Sequence, residues 1–439
     1  MQRRDFVAGV LATTTIPSLW HPRSIIQQGT PIRVNGERLN AQLAELAQFG
    51  RTATGTNRVA YTDADVAGRH YVRQLMREAG LEVRVDPAGN IFGRREGREP
   101  GRPVILFGSH IDSVPDGGNY DGDVGSLGAI EVARTLMERK VTTRHPFEVV
   151  VFQNEEGGTV GSRLMAAGMT DAELDRTARS GKTIREGIGI VGGNVARLSE
   201  ARRKTGDLLC YFELHIEQGG TLDETGIQIG VVEGIVGLRW FEVTIEGFAN
   251  HAGTTPMNRR KDAMLAAARI TMMVNQVVRS IPGSQVGTVG RISAVPGTVN
   301  VIPGRVLLTI DLRDLSTEKL TQLSGRFHEE ARTIASETGT AITLRETSTN
   351  EPALADLRVR SLIVDSARAL GLSQRDLPSF AGHDAQEVAR IAPMGMIFIP
   401  SVGGISHSPQ EFSRPGDITH GANVLMGAVL AADSKGLGT

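Results

Sequence analysis

His110 and Asp112 stand at the end of the apolar run Val104–Phe107, where a buried strand should give way to a loop. Asp121 follows in the turn-rich stretch Gly118-Asn-Tyr-Asp-Gly122. Imidazole nitrogens and carboxylate oxygens are the donors that hard and borderline divalent cations take. The same residue types recur downstream in Asn154-Glu155-Glu156-Gly157, His215-Ile-Glu-Gln218 and Gly403-Gly404-Ile-Ser-His407. Taken singly, each group has a plain structural explanation. A lone histidine at a strand end is usually a satisfied structural residue, and a Glu-Glu pair is usually a solvated helix start. Five such positions, each after a strand-like run or in a glycine-rich turn, predict a metal site. Asp112 is close enough in sequence to His110 to fix its ring as an outer partner.

The elements that must position these residues are legible from periodicity. Apolar spacing predicts a helix over 39–49, and Asp63 to Gly80 reads as a second helix with Asp63 as N-cap and Gly80 as stop. Strands are expected over 81–85, 90–93, 104–107 and 147–152, with a helix over 126–139. This alternation predicts an α/β sheet, and ligands at strand ends fit the crevice of an open sheet. From about residue 234 the pattern changes. Strands over 240–245, 286–292, 305–312 and 341–346 alternate with helices over 261–280 and from the cap Ser316 to about Ser336. The order β-α-β-β-α-β is that of a ferredoxin-like unit. A helix over 356–371 and a strand over 395–399 return the chain to the first sheet, so the unit is an insertion. The expected division is 1–35 leader and linker, 36–233 first part of the catalytic domain, 234–348 insert, and 349–439 second part.

Composition narrows the function classes. The chain has 439 residues, 40% hydrophobic and 22% charged, with a net charge of −1, so nothing argues for nucleic acid or an anionic membrane as partner. Its one cysteine, Cys210, lies between apolar neighbours and reads as a buried small hydrophobe; it excludes an internal disulfide and a cysteine-built zinc site. Arg3-Arg4 precede an apolar run up to Trp20 that is too short for a permanent membrane span. The paired arginines are expected to direct export of a folded protein, giving a periplasmic or exported enzyme, with a cytoplasmic one as the alternative.

Taken together the motifs resemble the amidase, hydantoinase and carbamoylase branch of the M20 metallopeptidase family. The likeness runs from about Leu39 to Ala432 and rests on Gly108-Ser-His-Ile-Asp-Ser-Val-Pro115, Gly117-Gly-Asn-Tyr-Asp-Gly122, Asn154-Glu-Glu-Gly157, His215-Ile-Glu-Gln-Gly219, Asn250-His-Ala-Gly-Thr-Thr-Pro256, Asn300-Val-Ile-Pro-Gly304, Asp311-Leu-Arg313, Ala381-Gly-His-Asp-Ala385 and Gly403-Gly-Ile-Ser-His-Ser408. It implies a phosphorylase/hydrolase-like α/β catalytic domain with an inserted ferredoxin-like dimerisation domain. It also implies two divalent ions per subunit, Zn²⁺ or else Mn²⁺, Co²⁺ or Ni²⁺. One ion would take His110, His215 and Asp121; the other would take Glu156, His407 and the shared Asp121. Glu155 would be the general base and Asp112 would orient His110. In this family the positions of His251, Asn300 and Arg313 bind the substrate carboxylate and polarise the scissile carbonyl, with His251 reaching across a dimer interface. Gln218, His383 and the Gly403-Gly404 backbone would complete the pocket.

The activity so implied is hydrolysis of the ureido C–N bond of an N-carbamoyl-L-amino acid, with allantoate or N-carbamoyl-β-alanine as alternative substrates. An aminoacylase, a dipeptidase and a non-catalytic ureido-binding protein are more distant readings. Two departures bear on specificity. Many members carry a longer loop after the Glu-Glu pair, whereas here Gly158-Thr-Val160 leads directly to Gly161-Ser162. Phe380 stands where glycine is frequent.

Overall fold

The computed structural model describes residues 32–437. The paired arginines and the apolar run behind them lie outside the described residues. Among these residues no helix is long and apolar enough to cross a membrane.

A nine-stranded mixed sheet organises the catalytic domain. Its centre is four adjacent parallel strands, in the order Phe147–Phe152, Val104–His110, Leu208–Ile216 and Met394–Ile399. Covered on both faces, these strands are apolar along nearly their whole length rather than alternating. At Gly108 the neighbouring strand comes so close that a Cβ would lie 1.9 Å from the Val150 carbonyl oxygen, which only glycine tolerates. The helices Asp123–Glu138 and Pro415–Lys435 pack against the central strands.

Local sequence explains the element ends. The helix expected from Asp63 is capped by Thr62 instead, whose hydroxyl accepts from the Asp65 N–H; Asp63 is its first residue. Asp262, Ser316 and Asp356 cap the helices Ala263–Arg279, Thr317–Thr338 and Leu357–Ala369 in the same way. The strands Ile229–Ile235 and Gln374–Ser379 and the helix Pro415–Lys435 extend the expected set.

The insert comprises the strands Gly237–Glu246, Val286–Val295, Arg305–Asp314 and Ala341–Asn350 with two long helices. Its sheet runs in the order fourth, first, third, second strand, all neighbours antiparallel, which is the ferredoxin-like arrangement. Phe241, Val243, Ile245, Leu308 and Ile310 face the helices and form a second core.

Candidate metal centre and cleft

The four parallel strands end side by side, and each delivers a ligand-type group. His110 is the last residue of its strand, and Glu155-Glu156 follow Phe152. His215 is the penultimate residue of its strand, and His407 follows Ile399. Asp121 reaches the same point from the turn before the helix Asp123–Glu138. Residues far apart in sequence converge here because parallel strands place their C-terminal ends along one edge.

Asp121 is the hub. Its Oδ1 lies 3.1 Å from His215 Nε2 and 3.6 Å from His110 Nε2, while its Oδ2 lies 3.1 Å from His407 Nε2. Glu156 Oε1 is 3.4 Å from His407 Nε2. Two groups, His110–Asp121–His215 and Asp121–Glu156–His407, therefore share one carboxylate, and each gathers its donor atoms within 4.8 Å. Burial opposes charge on Asp121, but three surrounding imidazoles hold its carboxyl well below the usual range. Among the described residues His215 Nε2 is buried without a hydrogen-bond partner, although it points at Asp121. A buried, unpartnered imidazole nitrogen among carboxylates is the state expected of a metal ligand. Gly122 is required at the turn, since a Cβ there would lie 2.4 Å from the His110 ring. The residues present thus fit divalent cations.

Outer contacts fix this geometry. His110 Nδ1 meets the Asp112 backbone oxygen at 3.0 Å, and His215 Nδ1 meets the Ile216 oxygen at 2.9 Å, so in each ring Nε2 faces the hub. The carboxylate of Asp112 does not orient His110 as expected. It lies 3.7 Å from Nδ1 and instead accepts the backbone N–H groups of Glu155 and Glu156 at 3.1 and 3.2 Å. Two consecutive free N–H groups at the tight Glu155-Glu156 turn out-compete an imidazole already served by a backbone oxygen. Asn154, Gln218 and His407 all adopt positive φ without being glycine, so local strain concentrates around this site.

Two positioning residues escaped the sequence reading. Glu411 is buried, and its Oε1 accepts the N–H groups of Tyr120 and Asp121 at 3.0 and 3.1 Å. Its Oε2 accepts the Ser406 hydroxyl at 2.8 Å and the His407 N–H at 3.3 Å. One carboxylate thereby ties the loop of the shared ligand to the loop of the last ligand. A glutamate four places beyond His407 was the signal available. Arg58, also buried, donates to the Ile111 carbonyl at 2.5 Å and to the Asp123 carboxylate, joining the loops on either side of His110 and Asp121.

Glu155 is buried beside the hub, with Oε2 3.9 Å from His110 Nε2. Burial pushes its carboxyl well above the ordinary value, with Asp384 and Glu156 adding to the rise, although His110 opposes it. Glu156 is pushed up to about 7 by burial and by Asp121.

The hub opens into a cleft of about 550 Å³ between the catalytic domain and the insert. Arg313 lines it from the insert. Its Nε and Nη2 hold the Asp311 carboxylate and its Nη1 donates to the Phe380 carbonyl at 2.6 Å, so two of its five N–H bonds have no acceptor among the described residues. Phe380 thus acts through its backbone. Gln218 lines the cleft but donates to Asp121 Oδ2 at 2.7 Å. His383 lines it as a buried ring packed edge-on to His215 and bonded to Ser379, its pKa driven well below the ordinary value by burial and by His215. Trp240 and Asn350 also line the cleft and carried no sequence signal.

Three expected pocket elements lie elsewhere. The Gly403 N–H is taken by Asp223 and the Gly404 N–H by Ser401, and neither glycine lines the cleft; at Gly404 a Cβ would lie 2.7 Å from the Gly220 nitrogen, so glycine there lets two chain segments pack closely. His251, on the short strand Asn250–His251, and Asn300, just before the paired strand Val301–Ile302, are both exposed on the insert and do not line the cleft of their own chain. His251 Nδ1 accepts the N–H groups of Gly253 and Thr254 at 3.0 and 3.2 Å, so the neutral ring carries its proton on the exposed Nε2.

Comparison with known proteins agrees with this architecture. Residues 106–431 match the family described as peptidase family M20/M25/M40. An N-carbamoyl-L-amino acid amidohydrolase of Geobacillus stearothermophilus is 42% identical over 398 residues, 89% of this chain and 97% of that protein. An allantoate amidohydrolase of Bacillus subtilis is 36% identical over 391 residues, 87% and 93% of the two chains. Among solved structures, a hydantoinase/carbamoylase family amidase of Burkholderia multivorans superposes with a TM-score of 0.85 at 39% identity, covering 92% of this chain and 99% of that one. With its parallel-strand ligand edge and its ferredoxin-like insert, this chain belongs to peptidase family M20/M25/M40.

Proposed function

We propose that this protein hydrolyses N-carbamoyl-L-amino acids to the amino acid, CO₂ and ammonia, using two divalent cations. The observation that carries the reading is the sharing of Asp121 between two cation-sized donor groups. Asp121, His110 and His215 would hold one ion, and Asp121, Glu156 and His407 the other. Ions bound there supply a nucleophilic water at neutral pH and polarise the ureido carbonyl. Glu155, buried beside the hub, accepts the proton of the attacking water as a carboxylate and returns it to the leaving nitrogen as a carboxylic acid. Arg313 presents its two remaining N–H groups to the substrate carboxylate, a geometry Lys would not reproduce.

His251 and Asn300 enter this scheme from a second copy of the chain. Among the described residues the insert's outer strand Val286–Val295 pairs on one side only; it exposes Val286, Ile292 and Val295, while the adjoining helix exposes Leu265 and Met272. An open apolar edge of this kind joins copies through a two-fold axis. Delivered across that interface, the Nε2–H of His251 would donate to the developing oxyanion.

The test is ammonia release by purified protein, stripped of metal and then reloaded, on N-carbamoyl-L-amino acids, N-carbamoyl-β-alanine and allantoate. Metal-dependent release from the carbamoyl amino acids is expected. Release from allantoate alone would move the activity to that substrate. Silence on all three with metal bound would refute the reading.

A further inference from the structure

We infer that the catalytic-domain wall of the cleft is an anion subsite that selects N-carbamoyl derivatives of amino acids with an acidic side chain. This rests on the ureido-hydrolase reading above and adds the substrate class.

The cleft carries cationic groups on opposite walls. Arg313 comes from the insert, whereas Arg163 and Arg176 line the catalytic side. Arg179 stands beside them, its Nη1 3.8 Å from Glu156 Oε2. Arg163 is engaged by Glu173. Among the described residues, Arg176 makes no ion pair and its guanidinium makes no hydrogen bond. Arg179 has only the long contact to Glu156, a carboxylate whose Oε1 faces His407. Arg176 therefore borders the space where a substrate must lie with nothing else to bind, and Arg179 adds its charge from behind Glu156, a carboxylate that lines the cleft.

The short loop after Glu156 makes room for them. Gly157 and Gly158 bring no side chains to this wall, and a Cβ at Gly158 would meet nothing within 4 Å. A substrate with a single carboxylate needs a single fork. With its α-carboxylate on Arg313 and its ureido group at the Asp121 hub, the rest of the molecule lies between Arg313 and the catalytic wall. A side-chain carboxylate there would meet the planar forks of Arg176 and Arg179, which suit it in both charge and geometry. A neutral amide of the same shape would meet them without charge.

The experiment compares kcat/KM for N-carbamoyl-L-glutamate and N-carbamoyl-L-glutamine, which differ chiefly in that charge. It is run on the metal-loaded wild type and on Arg176→Gln and Arg179→Gln. The wild type should favour the glutamate derivative about ten- to hundredfold, the scale of a hydrogen bond to a charged partner. In the variants the ratio should fall toward one because the glutamate derivative loses its advantage. A wild-type ratio at or below one, a ratio that survives both substitutions, or an equal loss on both substrates would overturn the subsite. Hydrolysis of neutral carbamoyl amino acids with no acidic preference would refute the subsite alone. Silence on every carbamoyl amino acid would remove the underlying activity and the subsite with it.

Discussion

Glu411 gives the sharpest test of how the metal centre is held, because it touches no substrate and offers no ligand. Replacing it with alanine removes four hydrogen bonds, at 3.0 and 3.1 Å to the Tyr120 and Asp121 amides and at 2.8 and 3.3 Å to Ser406 and His407. Hydrogen bonds to a charged group are worth about 1.5–3 kcal/mol each. The full sum would overstate the effect, because burial and the Asp121 charge already push the Glu411 carboxyl upward, and its removal relieves that cost. Glu411→Gln is milder. Its amide oxygen can keep the Tyr120 and Asp121 edge, and Ser406 can turn to accept from the new NH₂, so the His407 N–H is the group left unpaired. One such bond corresponds to about tenfold, and loss of an outer partner of a metal site spans about 10–100-fold in affinity. Metal affinity should therefore fall about tenfold in Glu411→Gln and about a hundredfold in Glu411→Ala. Competition against a chromophoric chelator measures this, with near-ultraviolet circular dichroism checking the fold and Ser406→Ala as a one-bond control. A folded Glu411→Ala protein that binds Zn²⁺ or Mn²⁺ within twofold of wild type would refute the clamp.

Four further outcomes follow from the same geometry. Glu155→Gln should retain its metal by elemental analysis yet lose at least about a hundredfold in kcat, as expected for a positioned proton carrier; unaltered turnover would show that Glu155 is a bystander. Mixing the inactive variants His251→Ala and Glu155→Gln under subunit exchange should restore about a quarter of wild-type activity, since random two-fold dimers are half hybrids with one complete site each; no recovery in exchanging dimers would place His251 outside the partner's site. Asp121 raises the His407 imidazole, and it raises His215 against the opposing effect of burial, so both bind protons more readily than free histidine. Metal binding near neutral pH should then release protons and tighten as pH rises, read as a buffer-dependent heat in calorimetry; a heat independent of buffer ionisation would contradict it. Burial pushes the Cys210 thiol far up, so it should resist alkylation in the native protein and react only after denaturation, which mass spectrometry follows directly.

Several features were legible in the chain because they depend on short-range physics. The central strands announce themselves as unbroken apolar runs, the look of strands buried on both faces, and Ser316 and Asp356 mark helix starts through bonds to their own next turn. The ferredoxin-like order of the insert follows from its alternating strand and helix periods. The helix Pro415–Lys435 was not legible, since it is buried on several sides and shows no amphipathic stripe. Gln374–Ser379 hides behind Asp376 and Pro378, which a strand at the sheet periphery tolerates. Thr62 displaced Asp63 as a cap because either residue can serve and only the backbone turn selects between them.

The sequence by itself determined which donors are available: three imidazoles and a set of carboxylates at strand ends, without cysteine. Only the tertiary structure decided which of them meet. The order of four parallel strands set His110, His215, Glu156 and His407 around Asp121, and it brought Glu411 under two loops nearly three hundred residues apart. It also turned the Asp112 carboxylate away from His110 and left His251 outside its own cleft. Donor chemistry is a property of each side chain, whereas distances between donors depend on sheet order and loop clamps, which arise from contacts between residues remote in sequence.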